Sequence, residues 1–254
     1  MPKRGDIMKN SSTYGYIHEL ATLTKFSRID LKHAIEETGI HLGESSFKVL
    51  LQKLLNEGEI SRIGRNAYCV TEGRYNSYGY QYSDLAINIA NNMEQKYPHL
   101  DFSIFELIQL NEFLNHQIAH NVVYVSVEED LSPFVFEFLK ELYPGKVLLN
   151  PTVEEYHTYW YDNMIVVNKL VSEAPKGTQE NWKVRIEKLL VDLLTSKLLR
   201  SSVSDAEIPE IYQEIFDKYI VDESCMFRYA KRRAADKKIR KFIKEETNIK
   251  LRLE

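Results

Sequence analysis

Residues 44–66 carry polar and basic side chains of the types and spacing needed to read a nucleic-acid duplex. Ser45, Ser46, Lys48, Val49 and Gln52 recur on the face of a helix that its apolar residues leave unused. Serine and glutamine can hydrogen-bond base edges, and Lys48 can neutralise a phosphate. Arg62 and Arg65 follow on a short alternating segment, with Asn66 at its tip. Arginines so placed would reach the duplex backbone or the minor groove. The competing reading is a solvated helix face beside a hairpin that makes only a protein contact.

Other candidate chemistry is weaker. His116 and His120 are four apart and on a helix would share a face suited to a metal. Glu112 and Asn115 are poor third ligands, and residues 117–121 are where a helix should yield to a strand, so both histidines are expected to be structural. Glu187 and Asp192 lie five apart on one helix, about 140° around its axis, too far round for a carboxylate pair. Asp162 followed by Val167-Asn168-Lys169 has the lysine of a metal-dependent nuclease but lacks the carboxylate two residues before it. The Gly-Ser turn and paired aspartates of a nucleotidyltransferase are absent, as are a P-loop and a Gly-x-Gly-x-x-Gly. Gly145, in Tyr143-Pro144-Gly145-Lys146, punctuates a turn. The sequence therefore predicts no catalytic residue, no metal, no cofactor and no enzyme. A basic stretch from Arg228 to Lys244 reads either as a surface for nucleic acid or an acidic partner, or as a solvated face balanced within the chain.

The elements that must position these residues follow from periodicity. A helix is expected over Thr13–Thr24, capped by Ser11, Ser12 or Thr13. A second spans Leu31–Thr38, capped by Asp30 and ended at Gly39. The third, Glu44–Glu57, buries Phe47, Leu50, Leu51, Leu54 and Leu55 and stops at Gly58. Alternating segments 59–63 and 67–70 flank Gly64-Arg65-Asn66 as a hairpin. This is the order of a winged helix-turn-helix, assigned to residues 1–74. The Tyr- and Gly-rich stretch Thr71–Tyr82 reads as a linker or as the start of the next domain.

Residues 83–254 read as a second domain. A helix over Asp84–Lys96 precedes strand-like segments at 101–105, 121–127, 146–149 and 164–171, with helical segments between them. That alternation predicts an α/β domain with a largely parallel sheet. Helices are expected over 182–199, 209–219 and 223–246. The fold class is α/β, or α+β over the whole chain.

At 254 residues and 44% hydrophobic content, the chain can bury two ordinary cores. No apolar run approaches the ~18 residues of a membrane span. The charged start lacks the apolar stretch of a secretory leader. Cys69 and Cys225 are far apart and suggest reduced thiols, so a cytoplasmic location is expected. Net charge runs from +2 in residues 1–74 to −11 in 75–221 and +5 in 222–254. The basic ends suit phosphate; the acidic middle suits a basic protein partner.

The layout, with Glu59-Ile60-Ser61-Arg62-Ile63-Gly64-Arg65-Asn66-Ala67-Tyr68 closing the first domain and Arg185-Ile186-Glu187-Lys188-Leu189-Leu190-Val191-Asp192-Leu193-Leu194 in the second, resembles the AbiEi-type antitoxins of type IV toxin–antitoxin systems. Many members of that family have Gly after the wing arginine; Asn66 and Ala67 stand there here. The resemblance implies a bacterial phage-defence autoregulator. Its winged domain would bind double-stranded DNA in its own promoter, through the wing arginines and the exposed positions of the third helix. Its remaining domain would oppose a nucleotidyltransferase-like toxin. Two alternatives stay open: a nuclease-like phage-defence protein, and a non-catalytic adaptor that binds proteins.

Overall fold

The computed structural model describes residues 15–71, 74–75, 78–177 and 180–253. It is a mixed helix-and-sheet chain that separates into two units. The first comprises Met1–Asn76 together with Asp222–Ser224 and Leu251–Glu254, and the second Ser77–Val221 and Cys225–Lys250. The short segments 222–224 and 251–254 thus depart from the expected division, which gave all of 83–254 to one domain. The expected caps at Ser11, Ser12 and Thr13 lie outside the described residues. No helix among the described residues is long and apolar enough to cross a membrane.

The first unit contains α1 (Gly15–Ala21), α2 (Arg28–Glu37), α3 (Glu44–Glu57), β1 (Ile60–Gly64) and β2 (Ala67–Val70). Tyr16, Ile17 and Leu20 of α1, Leu31 and Ile35 of α2, and Phe47, Leu51 and Leu54 of α3 pack in one core with Ile60 and Tyr68. Their three- and four-residue spacing is what closes the helices over one another. α2 starts earlier than expected because Ser27, not Asp30, caps it. The Ser27 hydroxyl accepts from the Ile29 and Asp30 amides, and the Asp30 carboxylate accepts from the Ser27 amide at 2.7 Å, a reciprocal capping box. The Ser27 backbone amide first, and the Ser27 side chain second, hold the Asp30 carboxyl below its ordinary value. Gly58, left-handed at φ 74°, ends α3.

The hairpin pairs Ile60 with Val70, Ser61 with Cys69 and Arg62 with Tyr68, then slips by one so that Gly64 faces Ala67. The extra residue, Ile63, is buried, and the bulge breaks the in–out alternation. Phe26, between α1 and α2, exchanges both backbone hydrogen bonds with Tyr68 at 2.9 Å, an isolated antiparallel bridge on the β2 side of the hairpin. At Gly64 a Cβ would stand 2.6 Å from the Ser224 Oγ and 3.0 Å from a Leu253 methyl. Those late residues are held by Glu223. Its buried carboxylate accepts from the amides of Arg252, at 2.8 Å, and Leu253, at 2.9 Å. Burial raises the Glu223 pKa, and the bonds from Arg252 and Leu253 oppose that rise.

The second unit is built on a four-stranded sheet. β3 (Phe102–Glu106), β4 (Val122–Val127), β6 (Met164–Lys169) and β5 (Val147–Leu149) lie in that order. β4, β6 and β5 are parallel, as expected, but β3 runs antiparallel to β4. The link from β3 to β4 holds only a 3-10 turn, Leu107–Glu112, and a loop. Without the helical crossover that a parallel pair requires, the chain doubles back. The other elements are α4 (Asp84–Lys96), α5 (Ser132–Leu142), α6 (Val153–Thr158), α7 (Ile186–Thr195), α8 (Lys197–Ser202), α9 (Ile208–Lys218), α10 (Glu223–Arg232) and α11 (Asp236–Glu246). Ile89 and Met93 of α4 and Val135 and Leu139 of α5 cover a sheet face made by Ile104, Val123, Val125 and Val167. The fully buried Glu106 carboxylate ties α4 to this sheet, accepting from the Ser83 amide, the Ser83 hydroxyl and Asn121 Nδ2 at 2.7–2.8 Å.

Two helices expected to be continuous are broken. The 182–199 stretch bridges to β3 through Lys183 before α7 starts, and Ser196 then separates α7 from α8. The 223–246 stretch splits at Ala234, which is left-handed at φ 51°. The Ala235 amide donates to the Ala230 carbonyl and the Ala234 amide to that of Lys231, closing α10 as a glycine usually would.

Candidate nucleic-acid interface

α3 turns Phe47, Leu51 and Leu54 into the core, which leaves Ser45, Ser46, Lys48, Val49 and Gln52 exposed on its other side. Val49 is 70% exposed, high for a branched apolar side chain on a helix. Gln52 Nε2 donates to Asn56 Oδ1 at 2.9 Å and so is held along the helix. Lys48 has no ion pair among the described residues. Lys53, on the next turn, has Glu57 at 3.7 Å.

The hairpin brings Arg62, Arg65 and Asn66 to its exposed end. The Arg62 Nε donates to the Gly64 carbonyl at 3.0 Å, which sets the direction of the guanidinium across the bulge. Arg65 has no ion pair among the described residues. Asn66 adopts φ 52°, a left-handed value that asparagine tolerates better than most residues, and makes the tight turn. Its side-chain oxygen accepts from the Arg28 amide at 3.2 Å, so Asn66 also fixes the hairpin turn to the start of α2.

Arg28 is a member of this cluster that the sequence reading missed. Its guanidinium donates to Glu44 at 2.9 Å, in the first turn of α3, and lies 5.4 Å from the Phe47 ring centre. It thereby links α2, α3 and, through its backbone, the hairpin. The signal was present: the spacing of Ser27 and Asp30 places Arg28 at the first helical position. Glu44 favours the α3 N-terminus but puts one negative charge beside the face, compensated by Arg28.

The other residues singled out do not converge. His116 and His120 lie on irregular chain rather than on a helix, near Glu207 at 3.5 Å and Asp162 at 3.8 Å. No group of three or more His, Cys, Asp or Glu among the described residues could hold a metal ion. Asp162 precedes β6 and Lys169 ends it, roughly 20 Å apart at strand rise, so they do not form one site. Glu187 faces Arg185 and Asp192 faces Lys188, in separate pairs. The basic C-terminal stretch spends much of its charge inside the second unit. Arg232 pairs with Glu173 and Lys241 with Glu245, Lys238 donates to the Leu194 carbonyl, and Arg240 lies 3.6 Å from the Phe227 ring centre.

The model of a family of unknown function, DUF6577, matches residues 46–249. The chain belongs to the DUF6577 family. The DUF6577 match opens at Ser46 inside α3 and takes in the hairpin and almost all of the second unit. No curated protein matches the chain. Among solved structures, the RV2827C protein from Mycobacterium tuberculosis aligns over 92% of this chain and 81% of that one. The identity is 9% and the TM-score 0.24, too low to carry an argument about this DUF6577 protein.

Proposed function

We propose that the first unit is a winged helix-turn-helix that binds double-stranded DNA. α3 enters the major groove, and the β1–β2 hairpin lies along the flanking backbone or minor groove. The observation that carries this reading is the exposed α3 face of Ser45, Ser46, Lys48 and Gln52 beside a hairpin end bearing Arg62 and Arg65. Exposed Val49 adds an apolar contact of the kind that reads a thymine methyl. The Phe26–Tyr68 bridge supports the reading too, since it ties the hairpin to the segment between α1 and α2. On this reading Asn66 shapes the turn that presents Arg65, besides any contact of its own.

Together with the resemblance to AbiEi-type antitoxins, the reading makes the protein a cytoplasmic transcriptional regulator of a type IV toxin–antitoxin system. It represses its own operon and counteracts a nucleotidyltransferase-like toxin, without catalysing a reaction itself. Gel retardation tests this: a fragment from upstream of its own gene should be shifted at concentrations that leave a scrambled fragment free. Arg62→Ala/Arg65→Ala should lose the shift. Equal retardation by the double variant and the parent rejects the assignment of the hairpin.

A further inference from the structure

At the carboxyl ends of β4 and β6 in the second unit lies a cavity of about 60 Å³, closed by α7 and by the end of α10. It has room for several waters or one tetrahedral oxyanion. Three cations, Lys169, Lys188 and Arg233, and one carboxylate, Asp192, line it. The Lys188 ammonium, its side chain only 7% exposed, is 2.6 Å from one oxygen of Asp192. The other Asp192 oxygen accepts from the Tyr229 hydroxyl at 3.0 Å and has the Arg233 Nε 3.9 Å away. Lys169, at the rim, is matched by Glu129 outside the cavity. Among the described residues Asp192 is the one carboxylate answering both Lys188 and Arg233, which leaves one positive charge in excess at the cavity.

The neutral groups in the wall add donors. Arg233 Nε and Nη2 both end on a single oxygen, Thr195 Oγ1, at 3.0 and 2.8 Å, which leaves guanidinium donors at the mouth. Ser126 donates to Asn168 Oδ1 at 2.6 Å, so the Asn168 amide nitrogen remains as a donor. The carboxyl end of parallel strands is where open α/β sheets take their ligands.

We propose that this cavity binds the phosphoryl head of a small ligand, held between Lys188 and Arg233 with Asn168 as a neutral donor. The head occupies the enclosed volume and any ester substituent leaves through the mouth beside Arg233. This site is separate from the proposed DNA-binding face and does not rest on it.

The test is calorimetric titration of the full chain, without DNA, with inorganic phosphate, a nucleoside 5′-monophosphate and the matching nucleoside, at ionic strength fixed with chloride. Saturable binding of phosphate or of the monophosphate, with none of the nucleoside, is expected. Binding of the monophosphate alone identifies the ligand as a phosphate ester; equal binding of both identifies the free anion. Arg233→Gln should weaken binding about tenfold or more, since it removes a charge-assisted donor at the mouth. Lys188→Met/Asp192→Asn removes the internal pair and leaves Arg233 on the Thr195 hydroxyl alone, and it should abolish binding while circular dichroism shows a folded chain. Absence of saturable binding by the parent protein, or unchanged affinity in Arg233→Gln, overturns the proposal.

Discussion

Salt dependence is the sharpest measure of the proposed DNA-binding face. Three of its cations, Lys48, Arg62 and Arg65, have no carboxylate partner among the described residues, whereas Arg28 and Lys53 are answered by Glu44 and Glu57. If each of the three neutralises one phosphate, log K should fall with log salt with a slope of roughly −2.7 per chain, at about −0.9 per contact. Raising salt from about 50 to about 200 mM would then weaken binding about 40-fold. Arg62→Ala/Arg65→Ala leaves Lys48, a slope of roughly −0.9 and a loss of only about 3.5-fold over the same range. Lys53→Ala should leave the slope nearly unchanged, because its charge already meets Glu57. Fluorescence anisotropy of a labelled operator fragment at four or five salt concentrations gives the slopes directly. A double variant with the parental slope, or a Lys53→Ala slope that drops by a full unit, refutes the assignment of phosphate contacts.

Other outcomes follow from the packing. NMR titration should place the Asp30 carboxyl below the ordinary aspartate value, and Ser27→Ala should move it part of the way back up, since it removes the hydroxyl bond and keeps the amide one. A depressed folded value means that this contribution to stability is present above the unfolded value and is lost as pH falls through the folded one. Glu106→Ala should destabilise the second unit by roughly 2–5 kcal/mol in chemical denaturation, because it strands the buried Asn121 amide and the partly buried Ser83 donors. Ala234→Gly should raise stability by about 0.5–1 kcal/mol, by relieving a left-handed alanine at the end of α10. Thermal melting that shows a loss instead would mean that the Ala234 methyl packs more than its exposure indicates.

Much of this architecture is legible in residue spacing. The Phe47, Leu51 and Leu54 period fixes which side of α3 is buried, and so which residues it leaves exposed. The β-branched run at Val122–Val127 marks a buried central strand. Features that depend on distant partners are not legible in this way. Nothing local tells that Ala234 ends a helix, since alanine is a strong helix former; the packing of Ala230, Ala235 and Ile239 overrides it. The direction of β3 is set by how the 107–121 segment returns, not by its own sequence. Ile63 looks like an ordinary strand position until the bulge moves it inward. At the candidate interface, the exposed residues were predictable from helix period, but the Asn66 bond to the Arg28 backbone joins residues 38 apart. In the second unit, Lys188, Asp192 and Arg233 come from segments whose spacing carries no motif.

The first unit is not one continuous stretch of polypeptide. Gly64 rests against Ser224 and Leu253, and the Glu223 carboxylate holds the latter by the Arg252 and Leu253 amides. A ribosome releases the three helices and the hairpin well before it reaches residue 253. During that interval the nascent hairpin lacks its late-made backing, so assembly of the first unit is completed only after the second has been synthesised. Excising residues 1–76 as a stand-alone fragment would remove the same support, and a reporter based on that fragment would test a different object from the one that works in the cell.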